Sequence, residues 1–309
     1  MSSPTHVTAS PATVAVLGPG GVGGLLAAVL SRAGHRVICL AREETASVLR
    51  ESGVTVRSGA FGEFTAVVEA DTELREPVDL LLVAVKQTSL DAALERVPAG
   101  VMGPDTVVVP LLNGVEHVES LRGRYGAARV AAGVIRVEAT RVAPGVVEHG
   151  SPFCDIDLAG LPEPVLGRVA ELLRPAGVGV RIASSEASAL WAKLAFLAPF
   201  ALLTTRHLTD AEGVRTAHRE DLVALTEEIS AVATACGASL DPAKGLAMYD
   251  NCPPGMRSSM RRDAEAGRAL ELDAIGGAVL RAAEREGVAV PVTARLVAEV
   301  GQRYGGSGA

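Results

Sequence analysis

The apolar positions of this chain fall into two rhythms. Continuous runs rich in β-branched residues occupy positions 13–17, 37–41, 79–85 and 106–112, and each reads as a strand buried on both faces. Segments with helical spacing lie between them, at 25–33, 44–52, 90–96 and 118–125, the first closed by Gly34. Positions 54–56 and 66–69 suggest an added strand pair. Strands alternating with helices predict a parallel, doubly wound α/β sheet. Past about residue 130 the pattern changes: 130–137, 146–148 and 154–158 read as strands separated by turns. From Ser184 onward nearly everything has helical period, punctuated by Pro242, Pro253-Pro254-Gly255 and Pro291. The expected organisation is a Ser/Thr/Pro-rich tail at 1–12, an α/β domain at 13–183, an all-helical domain at 184–304 and a frayed Gly-rich end at 305–309. No internal repeat is apparent.

Composition narrows the class. With 309 residues, 48% hydrophobic and 21% charged, the chain can bury a large core in about two domains. A net charge of -7 argues against nucleic-acid and anionic-membrane partners, which need a basic patch. Arg261-Arg262 and the pair Arg281 and Arg285 read as solvated helix faces or phosphate contacts. Cys39, Cys154, Cys236 and Cys252 form no C-x-x-C pair and fit no zinc spacing, so no metal is expected. Residues 1–12 lack the apolar core of a signal peptide, which points to the reducing cytoplasm. The apolar run at 190–203 is too short to span a bilayer and carries Lys193, so no membrane association is expected.

The most specific local motif is Gly18-Pro19-Gly20-Gly21-Val22-Gly23, which matches G-x-G-x-x-G where a strand gives way to a helix. Gly18 permits the tight turn, Gly20 lets backbone approach a pyrophosphate, and Gly23 lets helix pack on strand. The pyrophosphate would sit at the positive helix end, against the backbone of Gly21 and Val22. This is the signature of a Rossmann-type dinucleotide domain. The second strand ends Leu40-Ala41-Arg42, with no acidic residue at its tip to hold a ribose 2′-hydroxyl. Arg42 is placed to pair with a 2′-phosphate, so NADP(H) is favoured, although Glu43 and Glu44 follow directly.

Lysine is scarce: Lys86, Lys193 and Lys244 stand against 26 arginines. A desolvated lysine can lose its proton near neutral pH, whereas arginine cannot. Lys86 ends the run Leu80-Leu81-Leu82-Val83-Ala84-Val85, and Lys193 lies inside the apolar helical run. Both are candidates for chemistry; both could equally be chance survivors that lay their stems on apolar surface. Lys86 and Asn113 fall at carboxyl ends of strands, where such sheets bind ligands. Asn113 also reads as a plain turn residue before Gly114.

The run from Val14 through Gly23, the Val85-Lys86 strand end and Leu112-Asn113-Gly114, in this order, resemble the ketopantoate reductase (2-dehydropantoate 2-reductase) family. Trp191-Ala192-Lys193-Leu194 resembles its W-x-K-L helix, Ser258-Ser259-Met260-Arg261-Arg262-Asp263 its S-S-M-x-x-D segment, and residues 267–273 its G-R-x-x-E-I-D segment. The match covers roughly residues 13–300. The resemblance implies reduction of a 2-keto acid by NADPH, with Lys193 as general acid and Glu271 orienting it. It further implies that Ser259 holds the substrate carboxylate and that Asn113 and Lys86 position cofactor and substrate. A small-molecule carbonyl substrate is the expected partner, and the apolar helical domain suggests a homodimer.

The chain departs from the family at one point. Members carry asparagines four residues after the catalytic lysine and again before a proline, where they bind the substrate's distal hydroxyl. Here the sequence reads Lys193-Leu194-Ala195-Phe196-Leu197-Ala198-Pro199-Phe200-Ala201, and no Asn occurs between Asn113 and Asn251. Leu197 and Ala201 share a helical face with Lys193. A wall of Leu and Ala cannot satisfy a buried hydroxyl, which costs about 1–3 kcal/mol. The expected substrate is therefore apolar or bulky at its far end. Alternatives are a reductase of an apolar ketone or imine and a non-catalytic NADP(H)-binding regulator.

Overall fold

The computed structural model describes residues 11–305; positions 1–10 of the tail expected at 1–12 and 306–309 of the end expected at 305–309 lie outside that range. The chain forms two compact units. The first takes the chain through Val85, then Ser89–Leu112 and Val118–Ser184; the second takes Lys86–Thr88, Asn113–His117 and the chain from Ser185 on. Two short loop segments from the first half of the sequence thus cluster with the helices of the second.

In chain order the first half supplies β1 (Thr13–Leu17), α1 (Gly21–Arg32), β2 (Arg36–Leu40), α2 (Glu43–Ser52), β3 (Val54–Ser58), β4 (Gly62–Ala66), β5 (Glu69–Asp71) and β6 (Leu80–Val83). It continues with α3 (Leu90–Leu94), β7 (Val107–Pro110), α4 (His117–Tyr125), β8 (Ala132–Arg136), β9 (Ala139–Ala143), β10 (Val146–His149), β11 (Asp155–Ala159), α5 (Glu163–Leu173) and β12 (Gly179–Ile182). The main sheet has the order β5-β2-β1-β6-β7 and is parallel throughout. Val14 pairs with Val37 on one side and Leu80 on the other. The chain leaves β1 toward one edge and returns at β6 to the other, which places a topological switch point at their carboxyl ends. β6 is wholly buried and β1 nearly so, as continuous apolar runs require.

Two smaller sheets complete the unit, β4-β3-β10-β9 and β12-β11-β8. The strand pair foreseen at 54–56 and 66–69 divides differently. Val54 pairs with Ala66, but Glu69 begins β5 and pairs with Ile38 in the main sheet. The pattern does not anticipate β9, β12 or α5. β9 and β12 are short edge strands without a buried position, so neither gives a continuous apolar run. α5 begins Glu163-Pro164 after Pro162 and contains Gly167, and these read as loop punctuation. Ala12, placed in the tail by its surroundings, is 8% exposed and accepts from the Arg36 amide at 3.0 Å.

The second unit is helical among its described residues: α6 (Glu186–His207), α7 (Ala211–Arg215), α8 (Arg219–Ala235), α9 (Pro242–Asp250), α10 (Ser259–Glu265), a π-helical turn at Asp273–Gly277, α11 (Ala278–Glu286) and α12 (Pro291–Tyr304). α6 is the central element, packed by α8, α10 and α12. Ser185 caps it by accepting from the Ser188 amide at 3.1 Å. Its 22 residues exceed the run read from the sequence and are long and apolar enough to cross a membrane. Twelve of them, from Ala189 to Thr205, are buried against the other helices, so the hydrophobicity serves the core of this unit.

α1 packs against β9 and β10 through glycine. A Cβ on Gly21 would lie 2.1 Å from the Ala139 carbonyl oxygen, whereas one on Gly20 would meet only the Gly18 oxygen, at 4.0 Å. Gly21→Ala is therefore expected to lower stability by about 1–3 kcal/mol in urea unfolding, since backbone must shift. Gly20→Ala should stay within about 0.5 kcal/mol of the parent chain.

Candidate active site

The glycine turn is built as its sequence requires. Gly18 has φ +87°, and its amide donates to Leu40 O at 3.1 Å; a side chain there would collide with Val85. A Cβ on Gly23 would lie 2.3 Å from Gly18 O and 3.1 Å from the Ala84 side chain. Gly20 alone keeps open space in front of its Cα, which suits close approach by a phosphate. α1 begins at Gly21 with half-buried Val22 next, has no acidic residue in its first turn and no side-chain cap. Its first amides and its dipole are thus left to an anion. Arg42 is exposed and occupies the N-cap of α2. Glu43, the nearest acidic competitor, is turned to Arg50 in an ion pair. These residues fit a dinucleotide.

The second unit gathers the chemistry. Glu271 is 5% exposed. Its Oε1 accepts from the Gln87 amide and its Oε2 from Asn113 Nδ2, each at 3.1 Å. Asn113 can reach because Gly114 has φ +89° and lies against Ala274; a Cβ at Gly114 would come within 2.5 Å of the Ala274 oxygen. The Asn113-Gly114 pair is thus both a turn and a site element. Ala274 belongs to the π-helical turn that starts two residues after Glu271, a distortion common at functional positions.

Lys86 Nζ pairs with Asp263 Oδ2 at 2.5 Å, and Arg268 Nε donates to Oδ1 of the same carboxylate at 2.9 Å. Asp263 is 3% exposed, so both of its oxygens are answered inside the unit. Lys193 sits half-buried on α6, and its charge acts on His117. His117 is 2% exposed; burial first, then Lys193, pull its pKa down to about 3. Leu197, one turn beyond Lys193, is half-buried, and Phe196 beside it stacks on Tyr249 with ring centroids 4.8 Å apart. Lys244 is exposed.

One sequence-based expectation changes. Ser258 caps α10, accepting from the Arg261 amide and bonding Thr204, and Ser259 is half-buried and opens the helix. Ala201 is fully buried in the helical core and as placed offers no surface to a ligand, so the apolar face beside Lys193 is Phe196 and Leu197. Sequence reasoning also missed three residues. Asp263 was visible only as the last letter of its motif; Gln87 contributes a backbone amide that no sequence pattern marks; His117 lay just before the helix read at 118–125.

A dinucleotide-type glycine turn in the first unit and a lysine paired with a buried carboxylate in the second fit an oxidoreductase. The sequence relationships specify which kind: the chain belongs to the ketopantoate reductase family. The PanE/ApbA ketopantoate reductase profile matches residues 14–156, and the profile of its C-terminal part matches 187–303. The chain is 31% identical to the 2-dehydropantoate 2-reductase of Caulobacter vibrioides over 93% of its own length and 97% of that protein. It is also 31% identical to the Mycobacterium tuberculosis enzyme of the same name, over 92% and 95%. A solved PanE/ApbA family ketopantoate reductase from Ralstonia eutropha superposes with a TM-score of 0.87 at 27% identity, over 96% of this chain and 99% of that one.

The depressed His117 has a consequence for stability. Its unfolded pKa, near 6.5, lies above the folded value of about 3, so the unfolded chain binds the proton more readily. The contribution is complete above pH 6.5 and is lost as pH falls toward 3. Urea unfolding should show about 1–2 kcal/mol less stability from this group at pH 5 than at pH 8, and His117→Gln should remove that part of the loss.

Proposed function

We propose that this protein reduces a 2-keto acid to the 2-hydroxy acid, with NADPH as reductant and Lys193 as proton donor. The observation that carries the reading is the grouping of Lys193, Glu271, Asn113 and the Lys86–Asp263 pair in one helical unit of a ketopantoate reductase family member. The bound nicotinamide supplies the hydride. The chain's own residues handle the oxygen. As the carbonyl carbon is reduced, negative charge develops on oxygen, and the Lys193 ammonium stabilises it and passes its proton there. Glu271, held by Asn113 and Gln87, supplies the fixed negative field that keeps the lysine protonated. Ser259 holds the substrate carboxylate with its hydroxyl. Lys86, fixed by Asp263, adds positive charge for that carboxylate or for the cofactor, and Asn113 orients the reacting end.

The preference for NADPH is supported by exposed Arg42 and by the diversion of Glu43 to Arg50. The substrate's far end would meet Phe196 and Leu197, so a bulky apolar 2-keto acid fits better than the hydroxylated ketopantoate of the named relatives. The protein would act as a homodimer in the reducing cytoplasm, where its four free cysteines persist.

The test is NADPH oxidation against 2-keto acids graded in size and polarity. Apolar, branched or aromatic acids should exceed ketopantoate in kcat/KM by about tenfold or more. Ketopantoate as best substrate contradicts the specificity reading, and no turnover of any 2-keto acid contradicts the reaction itself. Arg42→Ala should raise KM for NADPH about tenfold and leave that for NADH unchanged.

A further inference from the structure

Arg281 is one of the arginines that the sequence leaves open between a solvated helix face and a phosphate contact. Its guanidinium is engaged with carboxylates instead. It projects from α11 and joins two segments that are far apart in sequence. Nε donates to Glu116 Oε1 at 2.9 Å and Nη2 to Glu116 Oε2 at 2.7 Å, a bidentate pair. Nη1 donates to Asp273 Oδ1 at 2.7 Å, and Nη2 reaches Asp273 Oδ2 and the Asp273 carbonyl oxygen, each at 3.2 Å. Gly277 leaves room for this arrangement: a Cβ there would lie 2.6 Å from Asp273 Oδ1 and 3.1 Å from Arg281 Nη1. Burial does not demand the cluster, since the side chains of Arg281 and Glu116 are 43% and 46% exposed and that of Asp273 is 80% exposed. Ion pairs so exposed add little to stability. What the cluster fixes is position.

The two segments it joins are those that carry Asn113 and Glu271. Asn113 Nδ2 donates to Glu271 Oε2 at 3.1 Å, and Gly114 lies against the Ala274 carbonyl oxygen. Glu116 follows two residues after Gly114, and Asp273 two residues after Glu271. Arg281 therefore pins the outer end of the same pair of segments whose inner end is the Asn113–Glu271 bond. We propose that Arg281 is a positioning residue for the reduction. By holding Glu116 to Asp273, it keeps the 113–117 loop on the π-helical turn in the register at which Asn113 meets Glu271. Lysine would not serve, because only a planar fork engages two carboxylates in fixed directions. The consequence belongs to kcat. The guanidinium is turned to Glu116 and Asp273 rather than offered to a ligand, whereas a site group displaced by about 1 Å can cost up to about a hundredfold in rate.

The inference rests on Asn113 and Glu271 serving the reduction, and it is tested by steady-state kinetics with NADPH and the best 2-keto acid. Arg281→Gln should lower kcat about tenfold and leave KM for both substrates within about twofold of the parent. Its thermal midpoint should stay within about 3 °C, as for an exposed ion pair. Asn113→Ala should lower kcat by at least as much. Because Arg281 acts through Asn113, the double variant should be no more than about twofold slower than Asn113→Ala alone. Glu116→Gln should lower kcat in the same direction, and it carries the same cycle with Asn113→Ala if Arg281→Gln does not fold. Losses that multiply in the double variant overturn the proposal. So do an Asn113→Ala enzyme as fast as the parent, a loss confined to KM, and kcat values within about twofold of the parent in both Arg281→Gln and Glu116→Gln. A parent enzyme that turns over no 2-keto acid would instead remove the reductase reading itself, so the two failures are distinct.

Discussion

Glu271 is the constraint on which the site depends. A carboxylate that is 5% exposed must have its charge answered, because an uncompensated buried charge costs several kcal/mol. Its donors are a backbone amide at Gln87 and a side-chain amide at Asn113. Each donor comes from a short loop segment far away in sequence, and each segment clusters with the helices rather than with the strands beside it in sequence. The demand propagates outward. Asn113 needs Gly114 in a left-handed conformation, Gly114 needs bare backbone at Ala274, and the π-helical turn at Asp273–Gly277 presents that backbone. One buried carboxylate thus accounts for a glycine, an asparagine and an irregular helix.

The two lysines divide the electrostatic work. Lys86 faces a carboxylate that also takes Arg268, so its charge is fixed in place by a fully occupied partner. Such a fixed cation suits binding an anion. Lys193 stands on an apolar helix beside an imidazole whose proton affinity it has helped to suppress. A desolvated lysine can give up a proton near neutral pH, whereas an arginine cannot.

Much of this was legible in the sequence, for identifiable reasons. The buried strands β1, β2, β6 and β7 announce themselves because both faces are covered and their runs are uninterrupted. Edge strands β9 and β12 do not, because they are short and neither carries a buried apolar run. Gly18 and Gly23 in the first unit and Asn113 in the second stand at positions where backbone geometry limits the choice of residue, and that limitation leaves a mark. Asp263, Gln87 and His117 escaped because their roles are made by tertiary neighbours: a lysine 177 positions away, a glutamate 184 away and a ring buried with no local partner. Ala201 was misjudged for the opposite reason. A helical face on a central helix runs from site to core within two turns, and sequence periodicity does not mark where one becomes the other.

The central claim is that Lys193 delivers the proton in carbonyl reduction. The most direct measurement is steady-state NADPH oxidation by Lys193→Ala, paired with NADPH binding by fluorescence on the same preparation. The account predicts a loss of kcat of about a thousandfold or more, with NADPH affinity within a few-fold of the parent enzyme. A Lys193→Ala enzyme that retains kcat within tenfold while binding NADPH normally would contradict it.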